Sequence, residues 1–117
     1  MDDPAEHALV LRALGSRLSN CVVWKNDLTS LRVRNDPDLK GLTPEGIKRE
    51  LLAFVAGGGE IVQVREARGE YRDYRYYYKA ILPLDGFDRG VFVEIVLVDD
   101  DQDFPMVALV NAHPQRS

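Results

Sequence analysis

The chain has 117 residues, of which 45% are hydrophobic and 29% charged, a composition that predicts one globular domain spanning residues 1–117. The 15 basic and 19 acidic residues give a net charge of −4, which argues against a protein that binds nucleic acid through bulk positive charge. The single cysteine, Cys21, excludes an intramolecular disulfide and a thiolate zinc site. The sequence shows neither a signal peptide nor an apolar run of the roughly 20 residues that span a bilayer, so we expect a cytoplasmic protein without membrane contact.

Two helices are predicted in the first half of the chain. Asp3 as the capping residue, Pro4 at the first helical position and a glutamate three residues after the cap predict a helix that begins at residue 4. Its apolar positions, 10, 11, 14 and 18, extend it to residue 19 or 20. Thr43 and Pro44 predict the start of a second helix, which the glycines at 57–59 end.

The segment between these helices, residues 21–43, is left without an assigned element. Residues 21–24 are typical either of a short strand or of a buried turn. Residues 35–38 carry a strong turn signal.

Four strands are predicted after the second helix, over residues 60–66, 71–82, 91–98 and 106–112. The third of these is apolar on both faces apart from Glu94, so we expect it to be central in the sheet. Short turns between consecutive strands favour an antiparallel meander. The predicted fold class is therefore α+β, with two N-terminal helices packed on a four-stranded antiparallel sheet in the order α-α-β-β-β-β.

The second predicted strand is rich in tyrosine, and alternation along it separates two faces. The face suited to the core carries Tyr74, Tyr76 and Tyr78. The other face carries Arg75, Tyr77 and Lys79. These latter side chains can bind an anion such as an RNA phosphate, or they can be ordinary solvated residues on an exposed sheet.

RNA cleavage without a metal requires a base for the ribose 2′-hydroxyl, a cation for the crowded phosphate and an acid for the leaving 5′-oxygen. The predicted catalytic residues are His113, Tyr77 and Arg75. The predicted substrate-binding residues are Arg65, Gln63 and Lys79. The two histidines of the chain show no metal-binding spacing, so we expect no metal and no cofactor.

The last predicted strand adds one open question. Strict alternation places Asn111 and His113 on the same face as Val107 and Leu109. The pattern alone does not decide whether that face is the one covered by the helices.

The second half of the chain resembles small bacterial toxin ribonucleases of the motility quorum-sensing regulator type, which belong to the RelE-like group. The stretches that carry the resemblance are Gly41-Leu42-Thr43-Pro44-Glu45-Gly46, the strand from Arg89 to Asp99, and Ala108-Leu109-Val110-Asn111-Ala112-His113. Together they cover residues 41–113.

The resemblance implies a metal-free ribonuclease that acts on RNA through side chains on its sheet and is neutralised by a partner antitoxin. By position, Gln63 or Arg65 falls near the family's first-strand lysine, Arg75 near its second-strand glutamine, and His113 near its last-strand lysine. Phe92 stands where the family has a tyrosine on the third strand, and it cannot transfer a proton. The net acidity is a second departure from the family.

The predicted function is a metal-independent endoribonuclease of the toxin-antitoxin type. A second hypothesis, of another class, is a non-catalytic protein-binding module, such as a partner of an immunity or antitoxin type, that uses the tyrosine-rich face. An inactive domain of the same fold is a third.

Overall fold

A computed structural model describes residues 2–67 and 73–115 of the chain. Within these residues the protein has three α-helices and one five-stranded sheet of order β1-β5-β4-β3-β2. The helices are α1 (Pro4–Leu14), α2 (Asp27–Arg34) and α3 (Pro44–Ala56). The strands are β1 (Val22–Trp24), β2 (Val62–Arg65), β3 (Tyr76–Leu82), β4 (Val91–Asp99) and β5 (Met106–Pro114). The predicted α+β class is confirmed, whereas the predicted two helices and four strands are too few.

The additional helix and strand both lie in the segment 21–43. β1 pairs with β5 in parallel, with Val22 opposite Val107, while the other pairings are antiparallel, so the sheet is mixed. α2 begins after Asn26, whose side chain accepts a hydrogen bond of 2.8 Å from the backbone N–H of Thr29. A three-residue strand is too short to show periodicity, and its partner is remote in the sequence. The all-antiparallel prediction was wrong for that reason.

Both predicted helix starts are confirmed by their caps. The carboxylate of Asp3 accepts a hydrogen bond of 3.0 Å from the N–H of Glu6, and the hydroxyl of Thr43 accepts one of 3.0 Å from the N–H of Gly46. α1 ends at Leu14, earlier than residue 19 or 20. Leu18 does not belong to its buried stripe, because 51% of this side chain is exposed.

The tyrosine strand begins at Tyr76, and the alternation predicted for it holds from there. Tyr76 and Tyr78 are buried in the main core, on the face that the helices cover. Tyr74 precedes the strand and packs with Tyr77 on the other face, so its placement in the core was wrong. The reason is that the alternation of β3 does not extend back to residue 74. The predicted turn residues 68–70 and strand residues 71–72 lie outside the described residues.

The sheet has apolar side chains buried on both faces. The main core lies between the helices and the inward residues of β3, β4 and β5. A smaller cluster on the opposite face is formed by Val96, Ala108 and Val110, with Tyr74 and Tyr77 packed against it. The face without helices therefore has an apolar half, around Val96. Nearer the start of β4 it has a polar half, in which Glu94, Asn111 and His113 lie beside Ile81 and Phe92.

A closed polar cluster fastens α1 to the edge of the sheet. The hydroxyl of Tyr78 donates to the carboxylate of Glu6 at 2.6 Å and accepts from the side-chain amide of Gln63 at 2.7 Å. Gln63 also exchanges two hydrogen bonds with the backbone of Asp3, at 2.9 and 2.8 Å. Burial, reinforced by the bond to Glu6, raises the pKa of Tyr78 well above its usual value. The folded structure therefore stabilises the neutral form of the Tyr78 phenol.

Candidate active site on the sheet face opposite the helices

The polar half of the open sheet face is centred on Glu94, the only charged residue in the apolar run 91–98. Its side chain is 1% exposed and lies directly opposite Lys79 of β3 and Asn111 of β5. Directly opposite residues on one face have Cβ atoms about 5 Å apart. These three residues form a row across three strands, in which a lysine is directly opposite the buried glutamate.

A β-bulge in β5 decides which face His113 joins. Leu109 and Asn111 lie opposite consecutive residues of β4, so Val110 is an extra residue in β5. Before the bulge, Val107 and Leu109 point into the main core. After it, Asn111 and His113 lie opposite Glu94 and Phe92, on the face without helices. The expectation that all four residues share one face was wrong, because the bulge reverses the alternation.

The imidazole of His113 is held in a defined orientation. Its ring stacks on that of Phe92, with centroids 4.8 Å apart and planes inclined by 20°. Its Nδ1 lies 2.9 Å from the carbonyl oxygen of Pro114, which can only accept, so Nδ1 carries the hydrogen and Nε2 is the atom that can exchange a proton. The register places His113 diagonally from Glu94, at a Cβ separation of about 7 Å. The two side chains are thus near neighbours on one face of the sheet.

Arg32 of α2 brings a second cation to this part of the sheet. β1 covers only the first half of the outer edge of β5, and α2 lies beside the second half. The guanidinium of Arg32 donates to the side-chain oxygen of Asn111 at 3.0 Å. Arg32, Asp36, Asn111 and His113 line a cleft of about 260 Å³ between the helix and the strand. The cleft opens beside the histidine ring.

The structure does not bring the three predicted catalytic residues together. Tyr77 lies one pair beyond Tyr78, which is opposite Ile95, whereas His113 is opposite Phe92. With a rise of about 3.3 Å per residue and a strand spacing of about 4.8 Å, Tyr77 and His113 are about 16 Å apart. Arg75 precedes β3 and lies farther still, with its guanidinium 5.5 Å from the ring centroid of Tyr76. Of Glu94 and Tyr77, Glu94 therefore lies closer to His113 and is the candidate partner in proton transfer.

The predicted substrate-binding residues divide between the two faces. Lys79 lies on the face without helices, where alternation predicts it. Gln63 and Arg65 are opposite Tyr78 and Tyr76, so they lie on the helix-covered side of β2. They therefore do not lie beside Lys79 on the face without helices, because Val62 is the β2 residue opposite Lys79. Gln63 is, in addition, fully engaged in the polar cluster that holds α1.

Glu94 and Arg32, the charged groups that the proposed chemistry adds to His113 and Lys79, were not among the residues predicted from the sequence. Glu94 had a visible signal, since a lone carboxylate in a central apolar strand must be paired or functional. No sequence signal pointed to Arg32, because α2 was not predicted and the packing of α2 against β5 cannot be derived from local sequence.

Acidic residues collect at the other end of the sheet, in the turn between β4 and β5. Asp99, Asp100, Asp101 and Asp103 are all exposed there. The carboxylate of Asp101 accepts from the N–H groups of Phe104 and Asp103, and these bonds hold the pKa of Asp101 below its usual value. β4 is nine residues long, so this turn is about 25–30 Å from the Phe92–His113 pair. These four aspartates are thus remote from the candidate site.

Within the described residues, no group of three or more His, Cys, Asp and Glu side chains is arranged to hold a metal ion. None of the described helices has the length and apolar character needed to cross a membrane. Comparisons with protein-family models, with curated proteins and with solved structures gave no match.

Proposed function

We propose that the chain is a metal-independent endoribonuclease that cleaves RNA by general acid–base chemistry on the sheet face opposite the helices. The observation that carries the proposal is the bulge in β5, which sets His113 diagonally from Glu94 on that face. Lys79 and Arg32 place a cation on either side of the pair. Carboxylate, imidazole and two cations supply every group that the reaction requires.

In the proposed reaction the carboxylate of Glu94 accepts the proton of the ribose 2′-hydroxyl. The 2′-oxygen then forms a bond to phosphorus as the bond from phosphorus to the 5′-oxygen breaks. Protonated His113 donates from Nε2 to the leaving 5′-oxygen. Lys79 and Arg32 stabilise the negative charge on the crowded phosphate. The products are a 2′,3′-cyclic phosphate and a free 5′-hydroxyl.

Access to Glu94 requires a rearrangement, because the side chain is 1% exposed. Lys79 and Tyr77, both half-buried, flank it on β3. Lys79 has the longer and more flexible side chain of the two. In the proposed complex the ammonium group of Lys79 binds the substrate phosphate, and the side chains over Glu94 move aside so that its carboxylate reaches the ribose.

The test is cleavage of a labelled single-stranded RNA by purified wild type, Glu94→Gln, His113→Ala and Tyr77→Phe, each with and without EDTA. The proposal predicts EDTA-resistant cleavage that leaves a cyclic phosphate end, lost in the first two variants and kept in the third. Circular dichroism shows whether each variant is folded. Absence of cleavage by folded wild type rejects the proposal, and loss of activity only in Tyr77→Phe would return catalysis to the tyrosine.

A non-catalytic protein-binding module is the second candidate function, favoured by the apolar half of the same face. Tyr74 and Tyr77 are half-buried there, over the cluster of Val96, Ala108 and Val110. Leu28 of α2 is 79% exposed and borders Val110. An aromatic and apolar surface of this kind suits a protein partner, such as an antitoxin. A partner that copurifies with wild type but not with Leu28→Asp would support this function, above all if the protein does not cleave RNA.

A further inference from the structure

A second cleft lies at the same end of the sheet as His113 and has a volume of about 450 Å³. Its walls come from the loop between β3 and β4 and from the short 3-10 turn at Pro37–Leu39. Pro114 and Gln115, the residues that follow His113, line it as well. The N–H of Gln115 donates to the carbonyl of Gly90 at 2.9 Å, which fixes this wall of the cleft to the loop. The cleft therefore adjoins the end of β5, directly after His113 in the chain.

The loop that forms the cleft has a defined shape. Gly90 has a φ of 80°, and a Cβ at this position would lie 2.6 Å from the carbonyl oxygen of Leu82. Gly86 has a φ of 87°. Phe87, between them, is half-buried and packs against the main core. The backbone is therefore set by two glycines and one anchored ring, so the cleft is preformed.

The chemistry of the cleft is mixed in sign. The ammonium group of Lys40 donates to the carbonyl of Gly86 and lies 5.0 Å from the ring centroid of Phe87. Arg89 lines the opening, as do Asp38 and Asp88, and all three are exposed. Two cations, two carboxylates and one aromatic ring do not suit a simple anion, which the carboxylates would repel.

We propose that this cleft binds one nucleotide of single-stranded RNA, next to the phosphodiester that is cleaved. Lys40 and Arg89 contact its phosphate, and the ring of Phe87 packs against its base or ribose. Asp38 and Asp88 accept hydrogen bonds from base amino or ribose hydroxyl groups. A nucleotide itself combines an anion, a planar ring and donors, and the cleft volume is in the range of about 300–1,000 Å³ found for small-ligand sites. The role in RNA binding rests on the ribonuclease proposed above.

The first experiment follows the amide signals of Gly86 and Gly90 in ¹⁵N-labelled wild-type protein during titration with 5′-mononucleotides and, separately, with inorganic phosphate. The proposal predicts saturable shifts at these two amides with nucleotides and none with phosphate. Equal shifts with phosphate would reduce the cleft to an anion site and overturn the nucleotide assignment.

The second experiment measures the affinity of a fluorescent single-stranded RNA for protein made non-cleaving by His113→Ala. In that background, Arg89→Ala and Phe87→Leu should each weaken binding on the order of tenfold. Leucine keeps an apolar side chain against the core, so Phe87→Leu tests the ring and not the fold. Arg17→Ala removes the same charge near the acidic end of the sheet and should change the affinity less than twofold.

The outcomes separate this proposal from the ribonuclease. If wild type cleaves RNA but nucleotides leave Gly86 and Gly90 unshifted, the cleft proposal fails and the active site stands. If nucleotides bind at the cleft but wild type does not cleave RNA, the nucleotide site stands and the ribonuclease fails. If neither occurs, both are rejected.

Discussion

The same three kinds of side chain occur on the two sides of the sheet in different settings. The helix-covered side has Glu6, His7 and Tyr78. The face without helices has Glu94, His113 and Tyr77. On the helix-covered side Glu6 and Tyr78 bond to each other, and the Nε2 of His7 donates to the carbonyl of Ile61 at 2.8 Å. On the other face a bulge and a stacked ring orient His113, and its Nε2 is left to exchange a proton.

Residue type alone therefore does not predict whether a side chain stabilises the fold or belongs to the candidate site. Tyr78 and Lys79 are neighbours in β3, yet one belongs to the polar cluster that fastens α1 and the other lies beside the candidate base. Matched substitutions on the two faces can therefore test the assignment. Changes on the helix-covered side should lower stability, and changes on the other face should lower activity.

The largest difference is expected between the two histidines. His113→Ala removes the proposed acid and should lower the rate of RNA cleavage about 10²–10⁴-fold at 25 °C, a loss far larger than the stability lost with the stacking on Phe92 can explain. His7→Ala should leave the cleavage rate at 25 °C unchanged and lower the free energy of unfolding by about 1 kcal/mol, because a bond to Ile61 is lost. Initial rates on labelled RNA and urea titrations measure the two effects. Equal activity in both variants would remove His113 from the mechanism.

The two glutamates form the second pair. Glu94→Gln keeps the shape but cannot accept the 2′-hydroxyl proton, so cleavage should fall on the order of 10²-fold. Glu6→Gln keeps an oxygen that can accept from Tyr78, and should cost only about 1 kcal/mol of stability. Single-turnover cleavage rates distinguish them. A Glu94→Gln variant that cleaves RNA at the wild-type rate would show that this carboxylate is structural, like that of Glu6.

Substitutions of the two tyrosines should differ in their effect on the free energy of unfolding. Tyr78→Phe breaks the bonds to Glu6 and Gln63 and leaves both partners partly buried, at a cost of about 1–3 kcal/mol. Tyr77→Phe keeps the ring on the second apolar cluster and should change stability less. Urea unfolding of the two variants gives the comparison. A smaller loss in Tyr78→Phe than in Tyr77→Phe would contradict the importance of the polar cluster.

The smallest expected effect is a dependence of stability on alkaline pH. The pKa of Tyr78 is raised in the folded protein, so the unfolded chain loses this proton first, near its usual pKa of about 10. The stability from the neutral phenol is complete below that pH and is lost as the pH rises toward the folded pKa. Melting temperatures from pH 8 to 11 should therefore fall more steeply in wild type than in Tyr78→Phe. Parallel curves would indicate that the phenol is not preferentially neutral in the fold.

Sequence patterns predicted those parts of the fold that depend on local chemistry. Asp3 and Thr43 mark the helix starts because capping involves residues three apart. The burial of Tyr76 and Tyr78 follows from the period of a strand. β1 was one of two alternatives for residues 21–24, because a three-residue strand is too short to show periodicity. α2 was missed because only one of its residues, Val33, is buried.

The candidate site depends on features that no local pattern contains. The extra residue Val110 reverses the faces of Asn111 and His113, and nothing in the sequence of β5 marks the bulge. Arg32 reaches Asn111 across 79 positions of the chain. The sequence shows Glu94 as a lone carboxylate in an apolar strand, but it does not show that Lys79 and Asn111 lie opposite it.

The place of β5 in the sheet has a consequence for how the chain folds. This strand lies between β1 and β4, so Val22 cannot find its pairing partner until Val107 is available. Pairings between such remote residues require the closure of a long loop, and they are typical of domains that fold in milliseconds to seconds. Before β5 is in place, the edges of β1 and β4 that it later joins have no partner and invite pairing with other chains. The strand that positions His113 is thus also the one that completes the sheet, so the candidate site is assembled only when folding is complete.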